Sequence, residues 1–198
     1  MKKLFLGAAI AMSSLTLAQQ FGVKGGMNVS SLSDDATLSD QESKIGFNAG
    51  VFMNAPLAEN FSIQPEVLYN DLGSKVTRSS TEILGNTYSA DYSRNLGYIS
   101  VPVMFQYNAT PAFYLEAGPQ FGFLVSAKDK FKNSTNGSTD NATIVALDKD
   151  NFHTFDFGIG LGAGYYFTPN LGLTARYTAG LSDIMKDNPG DSVKNNVF

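Results

Sequence analysis

Residues 155–167 read FDFGIGLGAGYYF, and this stretch decides the fold class. Apolar residues occupy its odd positions, whereas glycine or a polar residue occupies nearly every even position. A period of two places successive side chains on opposite faces of a β-strand, whereas a helix would repeat about every 3.6 residues. The stretch is therefore predicted to be a strand with one apolar face and one narrow face made mostly of glycine.

Six further stretches show the same alternation, and their apolar residues also fall on odd positions: residues 21–29, 45–53, 61–69, 98–107, 113–125 and 171–181. The charged residues assigned to the strands all occupy even positions, whereas charged residues at odd positions, such as Asp71 and Asp183, lie in loops, in turns or at strand rims. The even-position charges are Lys24, Lys44, Glu66, Arg94, Glu116, Asp156 and Arg176. Because a Lys or Arg facing lipid at mid-bilayer costs roughly 2–4 kcal/mol, we expect the odd face to contact lipid. A soluble barrel would instead expose a glycine-rich, weakly charged face to water.

The connections between the strands alternate in length. Short turns are predicted at residues 56–60, 108–112 and 168–170, and long polar loops at residues 30–43, 72–91, 128–150 and 183–195. Short periplasmic turns and long external loops are typical of bacterial outer-membrane barrels, and four long loops imply eight antiparallel strands. Outward aromatic residues predict two girdles at the membrane interfaces: Phe61, Tyr107, Phe113 and Phe167 beside the turns, and Tyr69, Phe155 and Tyr177 toward the loops.

The first residues are predicted to be a targeting signal rather than part of the fold. Lys2 and Lys3 precede an apolar run over residues 4–17, and small residues before Gln19 suit cleavage after Ala18. We therefore expect a signal peptide over residues 1–18 and one barrel domain over residues 19–198. The rest of the chain offers no apolar run of about 18 residues, so a membrane protein of this sequence must be a closed barrel.

Composition further limits how the chain could be cross-linked or anchored and what it could bind. The absence of cysteine excludes a disulfide framework and a lipid-anchored cysteine. A net charge of −4 disfavours nucleic acid as a partner, because phosphate binding needs a basic face.

Three segments resemble the PorT-like family of outer-membrane β-barrel proteins: residues 113–122 (FYLEAGPQFG), 156–165 (DFGIGLGAGY) and 171–177 (LGLTARY). The resemblance implies an eight-stranded up-and-down barrel in the outer membrane of a diderm bacterium. The family's founding member takes part in protein export. Family members end with an eighth strand that finishes on an aromatic residue, and residues 195–198 are similar to the opening of that strand. Since a membrane-spanning strand needs ~9–11 residues, we expect the eighth strand to be truncated in this sequence.

The glycines at positions 158, 160, 162 and 164 superficially match a dinucleotide-binding motif. That motif requires a helix immediately after the glycines, with the pyrophosphate at its N-terminus. Here the strand continues to Phe167 and a turn follows, so we expect the glycines to make room for large side chains inside a narrow barrel.

Lys24, Glu66, Glu116 and Arg176 are the candidate site residues. Each lies four to six residues from the short-turn end of its strand, so their heights in the barrel should be similar. Isolated charges inside a barrel of this size would be costly, and we expect the four to pair into one ionic plug of structural role. The alternative is acid–base chemistry by the two carboxylates.

The remaining motifs are weaker candidates for chemistry. His153 is the sole histidine, and Asp150 and Thr154 are its polar neighbours in sequence. One histidine offers no catalytic constellation, so a solvated side chain at the barrel rim is favoured. Residues 148–151 (DKDN) lack the glycine and the later glutamate of a calcium loop. We therefore predict no catalytic residue, no metal site and no cofactor.

The sequence favours a non-enzymatic, monomeric outer-membrane protein with a plugged lumen. Its exposed loops would serve a structural or interaction role, because loops on a rigid scaffold commonly carry recognition. Lipid and lipopolysaccharide are the expected surroundings, and an unidentified protein or ligand could bind the loops. Alternatives are a narrow passive channel, a lipid-modifying enzyme, a component related to protein export, or a soluble lipid-binding barrel with its odd face inside.

Overall fold

The computed structural model describes residues 19–32, 41–83, 86–135, 138–146, 152–186 and 192–198, and every regular element in these ranges is a β-strand. The strands are β1 (Gln20–Leu32), β2 (Gln41–Ala58), β3 (Phe61–Ile83), β4 (Asn86–Asn108), β5 (Phe113–Thr135), β6 (Ser138–Ala146), β7 (Phe155–Thr168), β8 (Leu171–Gly180) and β9 (Asn195–Val197). Within those ranges, no helix is long and apolar enough to cross a membrane.

Eight of the strands form a closed antiparallel barrel, which confirms the predicted fold class. Pairing follows chain order from β1 to β5, then continues from β5 to β7 and from β7 to β8. β9 completes the circle because it pairs with β1 on one side and with β8 on the other. It occupies the place predicted for the eighth strand, and Phe198 continues its ladder by exchanging two backbone hydrogen bonds with Val29 (2.6 and 2.9 Å).

The odd residues of the seven predicted strands face outward, as the alternation predicts. Val23 is 85% exposed and Leu161 is 60% exposed, whereas Glu66 is only 1% exposed. The two sets of aromatic residues also lie on the outer surface, where Phe61 packs against Tyr107 with ring centroids 5.2 Å apart. Within the seven predicted strands the outer surface is thus apolar, and Lys24, Glu66, Glu116 and Arg176 lie inside.

The predicted long loops at residues 72–91 and 128–150 are wrong for most of their length. β3 and β4 continue as a paired hairpin from Leu72 to Ile83 and back, and β5 runs on to Thr135, where β6 pairs with it. These extensions lack the alternation because they lie beyond the apolar band, so no lipid imposes an apolar face on them. Backbone hydrogen bonds hold such strands together whatever their side chains.

The inward glycines of β7 let neighbouring side chains cross the strand. Tyr114 of β5 lies against Gly164, and Arg176 of β8 lies beside Gly160. The occupants come mainly from adjacent strands rather than from across the barrel. β7 is a strand throughout, so the helix that a dinucleotide site requires is absent at these glycines.

The substitution Gly162→Ala is expected to destabilise the barrel. A Cβ at this position would lie 2.6 Å from the carbonyl oxygen of Ala175 and 3.0 Å from Oε1 of Glu116, so the strands would have to move apart. Overpacking of this kind costs about 1–3 kcal/mol. Gly25→Ala is the matched control, because the nearest atom to its Cβ would be the Asn48 carbonyl oxygen at 3.8 Å. Urea unfolding in detergent, followed by gel mobility of unheated samples, measures both; equal midpoints would contradict the packing argument.

Candidate functional site

The four candidate residues meet inside the barrel, and Arg176 is at the centre of the group. Its Nη1 and Nη2 donate hydrogen bonds to Oε2 and Oε1 of Glu66 (3.0 and 2.7 Å), and its Nε donates to Oε1 of Glu116 (2.7 Å). Lys24 Nζ donates to Oε1 of Glu66 at 3.1 Å. We call Lys24, Glu66, Glu116 and Arg176 the ionic cluster.

The strand register explains how residues of non-adjacent strands meet. Glu116 of β5 faces Gly162 of β7, and Gly162 in turn faces Arg176 of β8. Because Gly162 has no side chain, the guanidinium reaches across β7 to the carboxylate. Lys24 faces another glycine, Gly50 of β2, and reaches Glu66 one strand farther on. Gly50 and Gly162 therefore leave the space through which Lys24 and Arg176 reach these carboxylates.

The ionic cluster is balanced in charge and closely hydrogen-bonded. Two cations face two carboxylates, and the side chains of Glu66 and Glu116 are fully buried. Gln64 Nε2 donates to Glu66 (2.8 Å), and Gln106 Nε2 donates to Glu116 (3.1 Å). Buried charges are tolerated when their remaining lone pairs are satisfied in this way. Glu66 accepts four hydrogen bonds and Glu116 accepts one on each oxygen, an arrangement that suits packing better than proton transfer.

The other inward charges predicted from the sequence also have partners. Lys44 Nζ lies 2.7 Å from Oδ1 of Asp71, and Arg94 Nε lies 3.2 Å from Oδ1 of Asp129. Asp156 accepts hydrogen bonds from the Ser182 hydroxyl and from the Asn195 side-chain amide. The pairing continues along the lumen and is not confined to the ionic cluster.

A second, apolar group fills the loop end of the lumen, and sequence reasoning missed it. We call it the lumen cap: Leu32, Leu72, Leu96, Tyr98, Leu124, Ala127, Phe152, Ile184 and Val193. All nine are buried, and Leu96 and Ile184 are completely inaccessible to solvent. The signal available in the sequence was the large apolar residues at even positions near the loop ends, such as Leu72 and Leu96.

Two connecting segments are folded inward to complete the lumen cap. Phe152 forms an isolated β-bridge with Met185, and the Ile184 N–H donates to the Val193 carbonyl at 2.9 Å. The Arg94 guanidinium carbon lies 5.6 Å from the centroid of the Phe152 ring. At this distance a cation–π attraction helps to hold the ring over the barrel mouth.

The weaker candidates for chemistry gain no support. His153 and Thr154 are exposed, and the His153 backbone N–H donates to the Ile184 carbonyl at 2.9 Å. Asp150 and the DKDN segment at residues 148–151 lie outside the described residues. In the part of the chain that the structure describes, no three His, Cys, Asp or Glu residues are grouped so that they could hold a metal ion.

The substitution Arg176→Met is expected to destabilise the barrel by about 3–5 kcal/mol, because it leaves buried carboxylates uncompensated. Lys24→Met should cost less, since the Lys24 side chain is 21% exposed and pairs with Glu66 alone. Adding Glu66→Gln and Glu116→Gln to Arg176→Met should restore much of the loss. Urea unfolding of the four proteins tests this order; a triple variant no more stable than Arg176→Met would contradict the charge argument.

Comparisons with known proteins agree with this geometry. No curated protein matches the chain. Among solved structures, Neisserial surface protein A (NspA) is similar over 91% of this chain and 94% of its own, with a TM-score of 0.52 and 15% identity. The attachment invasion locus protein Ail of Yersinia pestis covers 90% and 92%, with a TM-score of 0.43 and 14% identity. At 15% identity the likeness to NspA shows the fold alone.

The family comparison is more specific. Residues 14–186 match the family described as outer membrane protein beta-barrel domain. Together with the closed barrel and its apolar outer face, this match identifies the chain as a member of the outer membrane protein β-barrel family, located in the bacterial outer membrane.

Proposed function

We propose that this protein has a structural or interaction role at the cell surface, carried by strands that extend beyond the membrane. The supporting observation is strand length: β3, β4 and β5 have 23 residues each, whereas a transmembrane strand needs ~9–11. In bacterial barrels the short turns are periplasmic, so the extensions project outside the cell. We use the name outer sheet for four segments: β3 after Leu72, β4 before Leu96, β5 after Val125, and the whole of β6.

The outer sheet is built to hold a fixed shape. Val125 is the last outward apolar residue among the β5 side chains that the structure describes, and the strand continues to Thr135, roughly 30 Å farther at ~3.3 Å per residue. Throughout this length it pairs with β4, and β6 pairs with its other edge. Recognition commonly resides on segments that a rigid scaffold positions. The name of NspA describes that protein as a surface protein, in keeping with this proposal.

The lumen favours a closed barrel over the alternative of a narrow passive channel. In this proposal the ionic cluster and the lumen cap together obstruct the lumen at two levels, with Leu72 six residues beyond Glu66 along β3. A channel would need an uninterrupted water path past both levels. The exposed His153 and the buried, ion-paired carboxylates of Glu66 and Glu116 give no support to a lipid-modifying enzyme. The PorT-like resemblance leaves a role in protein export as a further candidate.

Trimming the outer sheet should abolish surface binding without unfolding the barrel. Val76 faces Tyr92 and Lys130 faces Ile144, so Asn-Gly turns can replace residues 77–91 and 131–143 without changing either register. Intact cells that display the full-length protein should bind at least one member of a panel of immobilised glycoproteins and polysaccharides. Cells that display the trimmed variant should not.

Thr87→Ser is the control for this experiment, because it changes a residue of the trimmed part of β4 without shortening the hairpin. Mobility of unheated protein on gels checks that each variant is folded. The proposal would be overturned if the trimmed variant bound as the full-length protein does, or if the full-length protein conferred no binding.

The folded protein is expected to show no stable openings in planar bilayers, because the plug that we propose, made of the ionic cluster and the lumen cap, would interrupt the water path. A general porin in the same bilayer is the positive control. Stable single-channel openings of the wild-type protein would favour the channel instead.

A further inference from the structure

Two lysines follow directly after the apolar band on the outer face of β5. Phe123 and Val125 are 44% and 41% exposed, and the Phe123 ring packs edge-on against Phe155, centroids 5.7 Å apart. This pair belongs to the aromatic girdle at the outer membrane interface. The next outward side chains along the strand are Lys128, which is exposed, and Lys130, which is half-buried.

A β-bulge turns these lysines outward. Gly97 faces Ser126 but Tyr98 faces Leu124, so the register shifts by one residue at Val125 and the inward and outward faces of β5 exchange beyond it. Ala127 and Asp129 are consequently buried, each 4% exposed, and Asp129 pairs with Arg94 inside. Without the bulge, the even positions of Lys128 and Lys130 would have pointed into the lumen. Bulges commonly re-aim side chains in this way.

Neighbouring strands place further polar residues beside the lysines. Lys130 faces Ser93 of β4, and Ser93 faces Lys75 of β3, so the three share one row across the outer face. In the backbone register Lys75 in turn lies opposite Glu42 of β2. Among the side chains that the structure describes, no carboxylate pairs with Lys128 or Lys130.

Lys128 lies at the height of the lipid headgroups, and Lys130, two residues farther along the strand, can extend its flexible side chain back toward them. Lys128 lies three residues beyond Val125, about 10 Å along the strand at ~3.3 Å per residue and less in height because barrel strands are tilted. The polar layer of a bilayer extends roughly 5–8 Å beyond each side of the hydrocarbon core. Flexible lysine side chains adjust readily within this layer.

We infer that Lys128 and Lys130 bind the phosphates of lipopolysaccharide in the outer leaflet. An ammonium group held at this depth on the lipid-facing surface meets the anionic groups of the surrounding lipid before it meets any soluble ligand. The site would fix the depth and rotation of the barrel in the membrane. It does not depend on what the outer sheet binds, so either proposal can fail without the other.

Titration with two lipids tests the inference. Protein folded in an uncharged maltoside detergent is titrated with fluorescent lipid A that carries both phosphates, and with the same lipid A lacking both. The wild-type protein should bind the phosphorylated form more tightly. The double variant Lys128→Gln/Lys130→Gln should bind it about fivefold more weakly for each lysine removed, since one basic residue near an anionic surface contributes about 1 kcal/mol.

Three controls make the result specific. The double variant Lys128→Arg/Lys130→Arg keeps the charges and should retain binding, and Lys186→Gln removes an exposed lysine from the segment after β8 and should change little. Inorganic phosphate alone should not reproduce the dependence on the two lysines. The inference would be overturned by unchanged binding of the Gln double variant, by an equal loss with Lys186→Gln, by equal binding of both lipids, or by inorganic phosphate binding that depends equally on Lys128 and Lys130.

Discussion

Backbone N–H and C=O groups cannot be left unpaired in hydrocarbon, because no water is present there to satisfy them. A chain that crosses a membrane as strands must therefore close its hydrogen-bond ladder into a circle. Here the ladder runs from β1 to β5, passes through β7 and β8, and returns to β1 through β9. The odd-numbered apolar residues and the inward charges both follow from this closure, since a closed sheet has one face for lipid and one for the lumen.

Inside the barrel, space rather than charge decides which contacts form. A barrel of eight strands is just wide enough for its side chains to fill. Glycine at positions 50 and 162 therefore opens the paths along which Lys24 and Arg176 reach carboxylates on other strands. The resulting ionic cluster carries no net charge, which lessens the penalty of burying it. Nearer the loop end the lumen is lined by large apolar residues, which pack together as the lumen cap.

The two ends of the barrel differ in what they expose. At the short-turn end the strands stop soon after the aromatic girdle, whereas β3, β4 and β5 continue well beyond it as the outer sheet. On β5 the bulge at Val125 marks the boundary between the membrane-spanning part of the strand and the outer sheet. It exchanges the inward and outward faces of the strand where the apolar band ends. The same bulge buries Asp129 against Arg94 and sends Lys128 outward, so it links the support of the lumen cap to the surface chemistry.

The sequence by itself determined the class of fold, the number of barrel strands, the lipid-facing side and the membership of the ionic cluster. Each of these depends on a period of two within a continuous strand, and such a period is visible without any knowledge of neighbours. Only the tertiary structure decided that residues predicted as loops continue as paired strands, that a bulge reverses the faces of β5, and that Phe152, Ile184 and Val193 enter the barrel. The physical reason is that partners distant in sequence determine these features: the pairing of polar strands, the bulge and the inward packing of connecting segments. A local sequence pattern does not show which distant residues those partners are.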